Sequence, residues 1–237
     1  MSTQKPFRFK QFNVDDSKCA MKVGTDGVLL GAWTDVSAAE TILDIGTGCG
    51  VIALMAAQRS NARITAIDID ESAALQSKEN FLASPWHERI EAIHIAVQQF
   101  QPDYLFDLII CNPPFFKNAL KTPDPERNLA RHNDTLSFES LVSHVNRLLS
   151  ETGKFVFILP VDEAFEVIHI ASSRNLHINR CCNVYSREDK LPNRILAELS
   201  RKESADPVEL FTIRDLNNRY TAEYKELTKD YYLFLSE

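Results

Sequence analysis

The chain has 237 residues, 44% of them apolar and 25% charged, the balance of an ordinary globular protein. Its formal net charge of −7 excludes a general nucleic-acid coat while leaving local recognition open. No stretch approaches the roughly 20 apolar residues of a membrane helix, and the start MSTQKPFRFK has no apolar signal core, so a soluble protein is expected.

In chain order, residues 7 to 23 are predicted to form two short strands around an Asp-Asp-Ser turn. The segment KVGTDGVLLGAW, residues 22 to 33, follows, with Asp26 a candidate helix N-cap before Val28, Leu29 and Leu30. From residue 41 strands and helices alternate. TILDIG is a strand, GVIALMAAQRS a helix apolar nearly all round and hence buried, RITAIDI a second strand, and residues 71 to 83 a second helix. RIEAIHIA and FDLIICN are the third and fourth strands. Ser137 caps a helix with Phe138, Leu141, Val142, Val145, Leu148 and Leu149 on its apolar face, and Gly153 follows it. KFVFILP is a strand, another helix starts at Asp162, and HINRCCNVYS, RILAELSRK and a short ELFTI are strands without long helices between them. Residues 116 to 136 form a long polar loop, uncommon unless functional or disordered.

This alternation predicts a parallel sheet covered on both faces, with ligands beyond the carboxyl ends of the strands. No composition shift marks a boundary. One domain is expected over 1–237, with 1–35 as an N-terminal β extension and cofactor-covering segment and 36–237 as the core. The cysteines Cys19, Cys49, Cys111, Cys181 and Cys182 are odd in number and lack zinc spacing, as expected of free thiols in a reducing cytoplasm. No metal is expected.

Two strand ends carry the chemistry. The first closes in Asp44-Ile45-Gly46-Thr47-Gly48-Cys49-Gly50, where glycines permit a tight turn and close approach of a ligand, with a helix N-terminus behind. Its G-x-G-x-G spacing departs from the G-x-G-x-x-G of dinucleotide enzymes. About twenty residues on, the second strand ends in Asp68-Ile69-Asp70, and Asp68 is placed to accept hydrogen bonds from a ribose. The fourth strand ends in Asn112-Pro113-Pro114-Phe115. Two consecutive prolines remove two backbone donors and hold the preceding residues extended, a stiff bend that aims its acceptors in fixed directions.

DIGTGCG followed by AIDID resembles the first two cofactor motifs of the class I S-adenosylmethionine-dependent methyltransferases, and NPPF resembles their amino-methylating subset. The resemblance covers about residues 41 to 115. It implies an α/β, Rossmann-like fold: a mostly parallel, seven-stranded sheet with helices on both faces, and S-adenosylmethionine as cofactor. Asp44, Gly46, Gly48, Gly50, Asp68 and Asn112 then belong to the cofactor site. Asp26 lies in a segment that reads as a cover over it and is a candidate polar contact to the cofactor. Relatives often carry an acid after the third strand for the cofactor's adenine, and Gln98 stands there instead.

The same resemblance gives the second strand end its task. An amino group conjugated to a purine is a weak nucleophile, and the Asn112 carboxamide with the Pro113 carbonyl can accept both its N–H groups while Pro113 and Pro114 keep them preorganised. Phe115 supplies a stacking face. Compact length, KVGTDGVLLGAW, NPPFF, ARHND and YTAEYKELTKDYYLFL resemble a bacterial family that N6-methylates adenine-37 of a valine tRNA. That implies tRNA, gripped at its anticodon loop, as the partner of a monomer. N5-glutamine methylation of a protein or N2-guanine methylation of ribosomal RNA would use the same chemistry. A cofactor-binding module without catalysis predicts a broken NPPF, and here it is intact. Candidate RNA contacts are Lys5, Arg8 and Lys10 near the start, and Lys117, Lys121, Arg131 and His132 after the prolines.

Overall fold

The chain begins with an antiparallel pair, β1 (Phe7–Arg8) and β2 (Asn13–Val14), in a computed structural model that describes residues 5–114, 136–203 and 208–233. The reversal between them lies at residues 9 to 12, where the Phe9 N–H donates to the Phe12 carbonyl at 2.9 Å, rather than at Asp-Asp-Ser. Apolar burial decides this. The Phe9 and Phe12 rings stack at 4.6 Å and both are buried, whereas Asp15 forms the next turn by accepting from the Ser17 N–H at 2.8 Å.

The core then alternates. Its elements are α1 (Thr25–Trp33), β3 (Thr41–Ile45), α2 (Val51–Arg59), β4 (Arg63–Asp68), α3 (Glu71–Leu82), β5 (Ile90–His94) and β6 (Phe106–Cys111). After the undescribed segment come α4 (Phe138–Leu148), β7 (Leu149–Leu159), α5 (Val161–Ser172), β8 (His177–Tyr185), β9 (Arg194–Ser200), β10 (Glu209–Thr212) and α6 (Ala222–Thr228). Ser137 caps α4 as expected, its side chain accepting from the Ser140 N–H at 3.2 Å. Gly153 falls inside β7 instead of ending the helix, at an irregular start where the strand passes the Phe106 carbonyl too closely for a Cβ.

Among the described residues eight strands, not seven, form the main sheet, in the order β10-β8-β9-β7-β6-β3-β4-β5. All pairings are parallel except those of β9 with β7 and β8. The eighth strand is β10 at the outer edge. Glu209 anchors it by accepting from Arg180 Nε at 2.7 Å and Trp33 Nε1 at 3.0 Å, while the Arg180 guanidinium lies 4.0 Å over the Trp33 ring.

Residues on the central strands alternate between two cores. Ile42, Leu108, Ile110, Val156 and Ile158 pack with α1, α2, α3 and α6 on one face; Leu43, Ile109, Phe155 and Phe157 pack with α4 and α5 on the other. The short α6 escaped the sequence pattern. Thr221 caps it by accepting from the Tyr224 N–H, and Tyr224 and Tyr231 bury it against α1 and α2. No helix among the described residues is long and apolar enough to cross a membrane.

The antiparallel pair β7–β9 carries one buried charge. Glu198 is nearly inaccessible and meets Lys154 Nζ at 2.9 Å, while its Oε2 has no partner among the described residues. Removing the ammonium leaves a carboxylate stranded in the sheet. Lys154→Met is therefore expected to destabilise the fold by about 3 kcal/mol, the lower end of the range for broken buried pairs because Lys154 is itself partly exposed. Denaturant unfolding checks this, and Glu198→Gln in the same background should restore part of the loss.

Candidate active site

A cavity of about 720 Å³ opens beyond the carboxyl ends of β3, β4, β5 and β6. Its floor is the loop after β3. Gly46 and Gly48 have φ of +71° and +57°, and a Cβ on either would stand in open space on the cavity side, so a ligand can approach this backbone closely. Gly50 differs. At φ +83° it begins α2, a Cβ there would collide with the Phe81 ring, and it does not line the cavity. Its role is packing.

Asp68 ties the loop to β4. Its Oδ2 accepts from the Gly48 N–H at 2.8 Å and its Oδ1 from the Asp70 N–H at 2.9 Å. A carboxylate oxygen has two lone pairs, so each oxygen keeps one for a ligand hydroxyl. Asp70 itself caps α3, accepting from the Ala73 N–H at 2.9 Å. The Gly46 and Thr47 N–H groups donate to the Ile67 carbonyl at 2.9 and 3.1 Å and complete the brace.

Asp44 lies behind this loop rather than in the cavity. It points into the face covered by α2, is fully buried, and accepts from the Thr47 hydroxyl at 2.6 Å while its Oδ1 has no partner among the described residues. Burial pushes its carboxyl up to about 7; the Thr47 hydrogen bond opposes the rise and the nearby Asp68 charge adds to it.

Asn112 and Pro114 line the far wall, and Leu136 lies beside them. No hydrogen bond among the described residues holds the Asn112 carboxamide. Pro113 is buried and is not among the residues that line this cavity. Gln98, exposed in the turn after β5, does line the cavity, in the position of the expected acid. Phe115, Lys117, Lys121, Arg131 and His132 fall outside the described residues.

Asp26 also lines the cavity, but it is not a helix cap: Gly24 holds that position, without a side-chain bond. The Asp26 carboxylate accepts from Arg194 Nε at 2.8 Å, across 168 residues of chain. Sequence motifs gave no sign of Arg194. Cys19 and Cys49 complete the apolar wall; burial pushes their thiols up to about 11 and about 12, which keeps them protonated and unreactive. Lys5, Arg8 and Lys10 are exposed on or beside the N-terminal strand pair and do not line the cavity, and the Lys10 ammonium donates to the Lys229 carbonyl. Among the described residues no cluster of acids, histidines or cysteines could hold a metal ion.

Solved structures share this architecture. A predicted O-methyltransferase from Agrobacterium tumefaciens superposes with a TM-score of 0.64 at 20% identity, covering 87% of this chain and 96% of its own. The N-methyltransferase NodS from Bradyrhizobium japonicum, solved with S-adenosyl-L-homocysteine, gives 0.53 at 18% identity over 74% of this chain and 84% of its own. The fold is that of the class I methyltransferases. Residues 19–160 match the methyltransferase small domain, and the chain belongs to that family. A relative in Bacteroides thetaiotaomicron, 47% identical over 97% of this chain and 98% of its own, bears the name tRNA1(Val) (adenine(37)-N6)-methyltransferase. One in Tolumonas auensis with the same name is 43% identical over 97% of this chain and 98% of its own.

The elevated Asp44 carboxyl gives a pH signature. Between its ordinary 3.8 and about 7 the folded state holds a proton that the unfolded chain has lost, so stability falls as pH rises through that window. The shift corresponds to at most about 4 kcal/mol. Asp44→Asn should flatten the dependence of unfolding free energy between pH 4 and 7, measured by urea denaturation, whereas an unaltered slope would place the titrating group elsewhere.

Proposed function

We propose that this protein transfers a methyl group from S-adenosylmethionine to the exocyclic N6 of an adenine in tRNA, at adenine-37 of a valine tRNA, in the cytoplasm. The names of relatives that match nearly the full length support this substrate. The observation that carries the reaction type is the placement of Asn112. Its unanchored carboxamide shares one cavity with the open glycine backbone and Asp68. The orphaned Asp44 oxygen lies beneath the loop, outside the cavity, and takes no part in this fit.

The cofactor supplies an electrophilic methyl on its sulfonium. Asp68 accepts from its ribose hydroxyls with the lone pairs left over from Gly48 and Asp70. Gly46 and Gly48 let it approach the backbone, and Gln98 takes the place of an adenine acceptor. Asn112 accepts a hydrogen bond from the target amino group, turning that N–H out of the ring plane so that the nitrogen lone pair localises toward the methyl. The stiff Pro113-Pro114 step fixes the direction of that acceptor. No strong base is required, because the methylated nitrogen is acidic and its extra proton passes to water. Phe115 is assigned the stacking of the extruded adenine on sequence alone. A base in a single-stranded loop costs less to extrude than one in a duplex, which suits an anticodon-loop target.

Binding and chemistry separate in two variants. Asp68→Ala should weaken S-adenosylmethionine binding at least about tenfold by calorimetry. Asn112→Ala should bind it almost normally yet lose roughly 10²-fold in single-turnover methylation; a near-normal rate would sink the role given to Asn112. The substrate is decided by labelled methyl transfer to unmodified tRNA, ribosomal RNA, duplex DNA and release-factor protein, followed by nucleoside analysis. N6-methyladenine in tRNA is the expected product. Label only in protein, or only as N2-methylguanine, would overturn the reading.

A further inference from the structure

A second cleft, of about 430 Å³, adjoins the cofactor cavity and shares Thr25 and Asp26 with it. It is built from the end of β8, the turn into β9, the first residue of β9 and the segment between β10 and α6. Four basic side chains line it, Arg187, Lys190, Arg194 and Arg214, against the single carboxylate of Asp26. Such a concentration runs against the overall charge of −7. None of the four belongs to the basic clusters that the sequence pointed to.

Each cation is held differently. Arg214 lies 4.0 Å over the Tyr220 ring and donates to the Asn218 carbonyl at 2.6 Å, so its planar fork is fixed in the cleft. Arg194 is oriented by Asp26, in the wall between the two cavities. Arg187, half-buried, is paired with exposed Asp189, and such a surface pair exchanges readily for a stronger anion. Lys190 makes no side-chain hydrogen bond among the described residues and is exposed. Asn193 and Asn218 add carboxamide donors.

We infer that this cleft holds phosphodiester groups of the RNA whose base enters the neighbouring cavity. The inference rests on the tRNA reading given above. Guanidinium forks match phosphate oxygens bidentately, and ammonium groups serve them as point charges. Position supports the same ligand. In the sheet order β8 stands three strands from β6, at about 4.8 Å per step, so the cleft lies about 14 Å along the same edge from Asn112. Nucleotides flanking an extruded base would fall there. Phosphate contacts of this kind set register and orientation, while the Asn112 cavity selects the base.

The test uses the full chain, an unmodified valine tRNA transcript and filter binding across a salt series. Lys190→Ala and the double variant Lys190→Ala with Arg214→Ala are compared with Lys202→Ala, which removes the same single charge as Lys190→Ala but beyond the far end of β9. The double variant should bind tRNA at least about tenfold more weakly, with a log–log salt slope shallower by about one to two. Its S-adenosylmethionine affinity should match wild type, which also confirms folding, and Arg214→Lys should keep most of the binding. Exposed Lys190 alone should give a smaller change of the same sign, without risk to the fold. Unchanged affinity and slope in the double variant, or an equal loss in Lys202→Ala, would overturn the proposal. Methylation of the same transcript by wild type is measured in parallel. Its absence removes the tRNA reading, whereas normal methylation with unaltered binding by the double variant removes the cleft alone.

Discussion

The site depends on one carboxylate. Asp68 at the end of β4 receives the Gly48 N–H with one oxygen and the Asp70 N–H with the other, and so locks the loop after β3 onto the neighbouring strand. Without that brace, a loop with three residues at positive φ would have many conformations to lose on binding a ligand. With it, the backbone at Gly46 and Gly48 faces the cavity in one arrangement, and the same carboxylate still has lone pairs to offer.

Beneath the loop, Asp44 and Thr47 fasten it from the opposite side at a cost. The carboxyl is fully buried, and that environment pushes it up to about 7. The loop is thus held by the Asp68 carboxyl group on its cavity side and by the buried Asp44 carboxyl group on its core side. The far wall uses covalent stiffness instead. Two prolines after Asn112 need no hydrogen-bond partners to stay put, which leaves the carboxamide available to a ligand.

Charge is distributed to match. The protein is acidic overall, yet the β8–β9–β10 end of the same edge gathers four cations beside the larger cavity, with Asp26 and Arg194 forming the partition. A polyanion approaching that edge meets repulsion elsewhere and attraction there, which favours one docking orientation. At the N-terminus, Lys10 secures the first strand pair to the C-terminal segment, where Phe9 also pairs with Tyr232.

What the sequence determined by itself was local or periodic. The alternation of β3, α2, β4 and α3, the Ser137 cap, the glycine loop, Asp68 and the Asn112 turn were legible because each depends on neighbours within a few residues or on a regular repeat. Short elements and long-range partners were not. The reversal at Phe9 and Phe12, the Arg180 and Trp33 partners that hold the predicted β10 strand, and the seven-residue α6 depend on distant side chains that bury or pair with them. Likewise the sequence offers Asp26 as a cofactor contact or a helix cap without showing its Arg194 partner 168 residues away, and Asp44 reads as a ligand group until the sheet turns it into the core. The basic cleft brings together residues 187 to 194 and 213 to 220 with α1, and no single segment carries its charge pattern. Periodicity specifies which face of an element is apolar; only the packed sheet decides which polar groups meet across its edge.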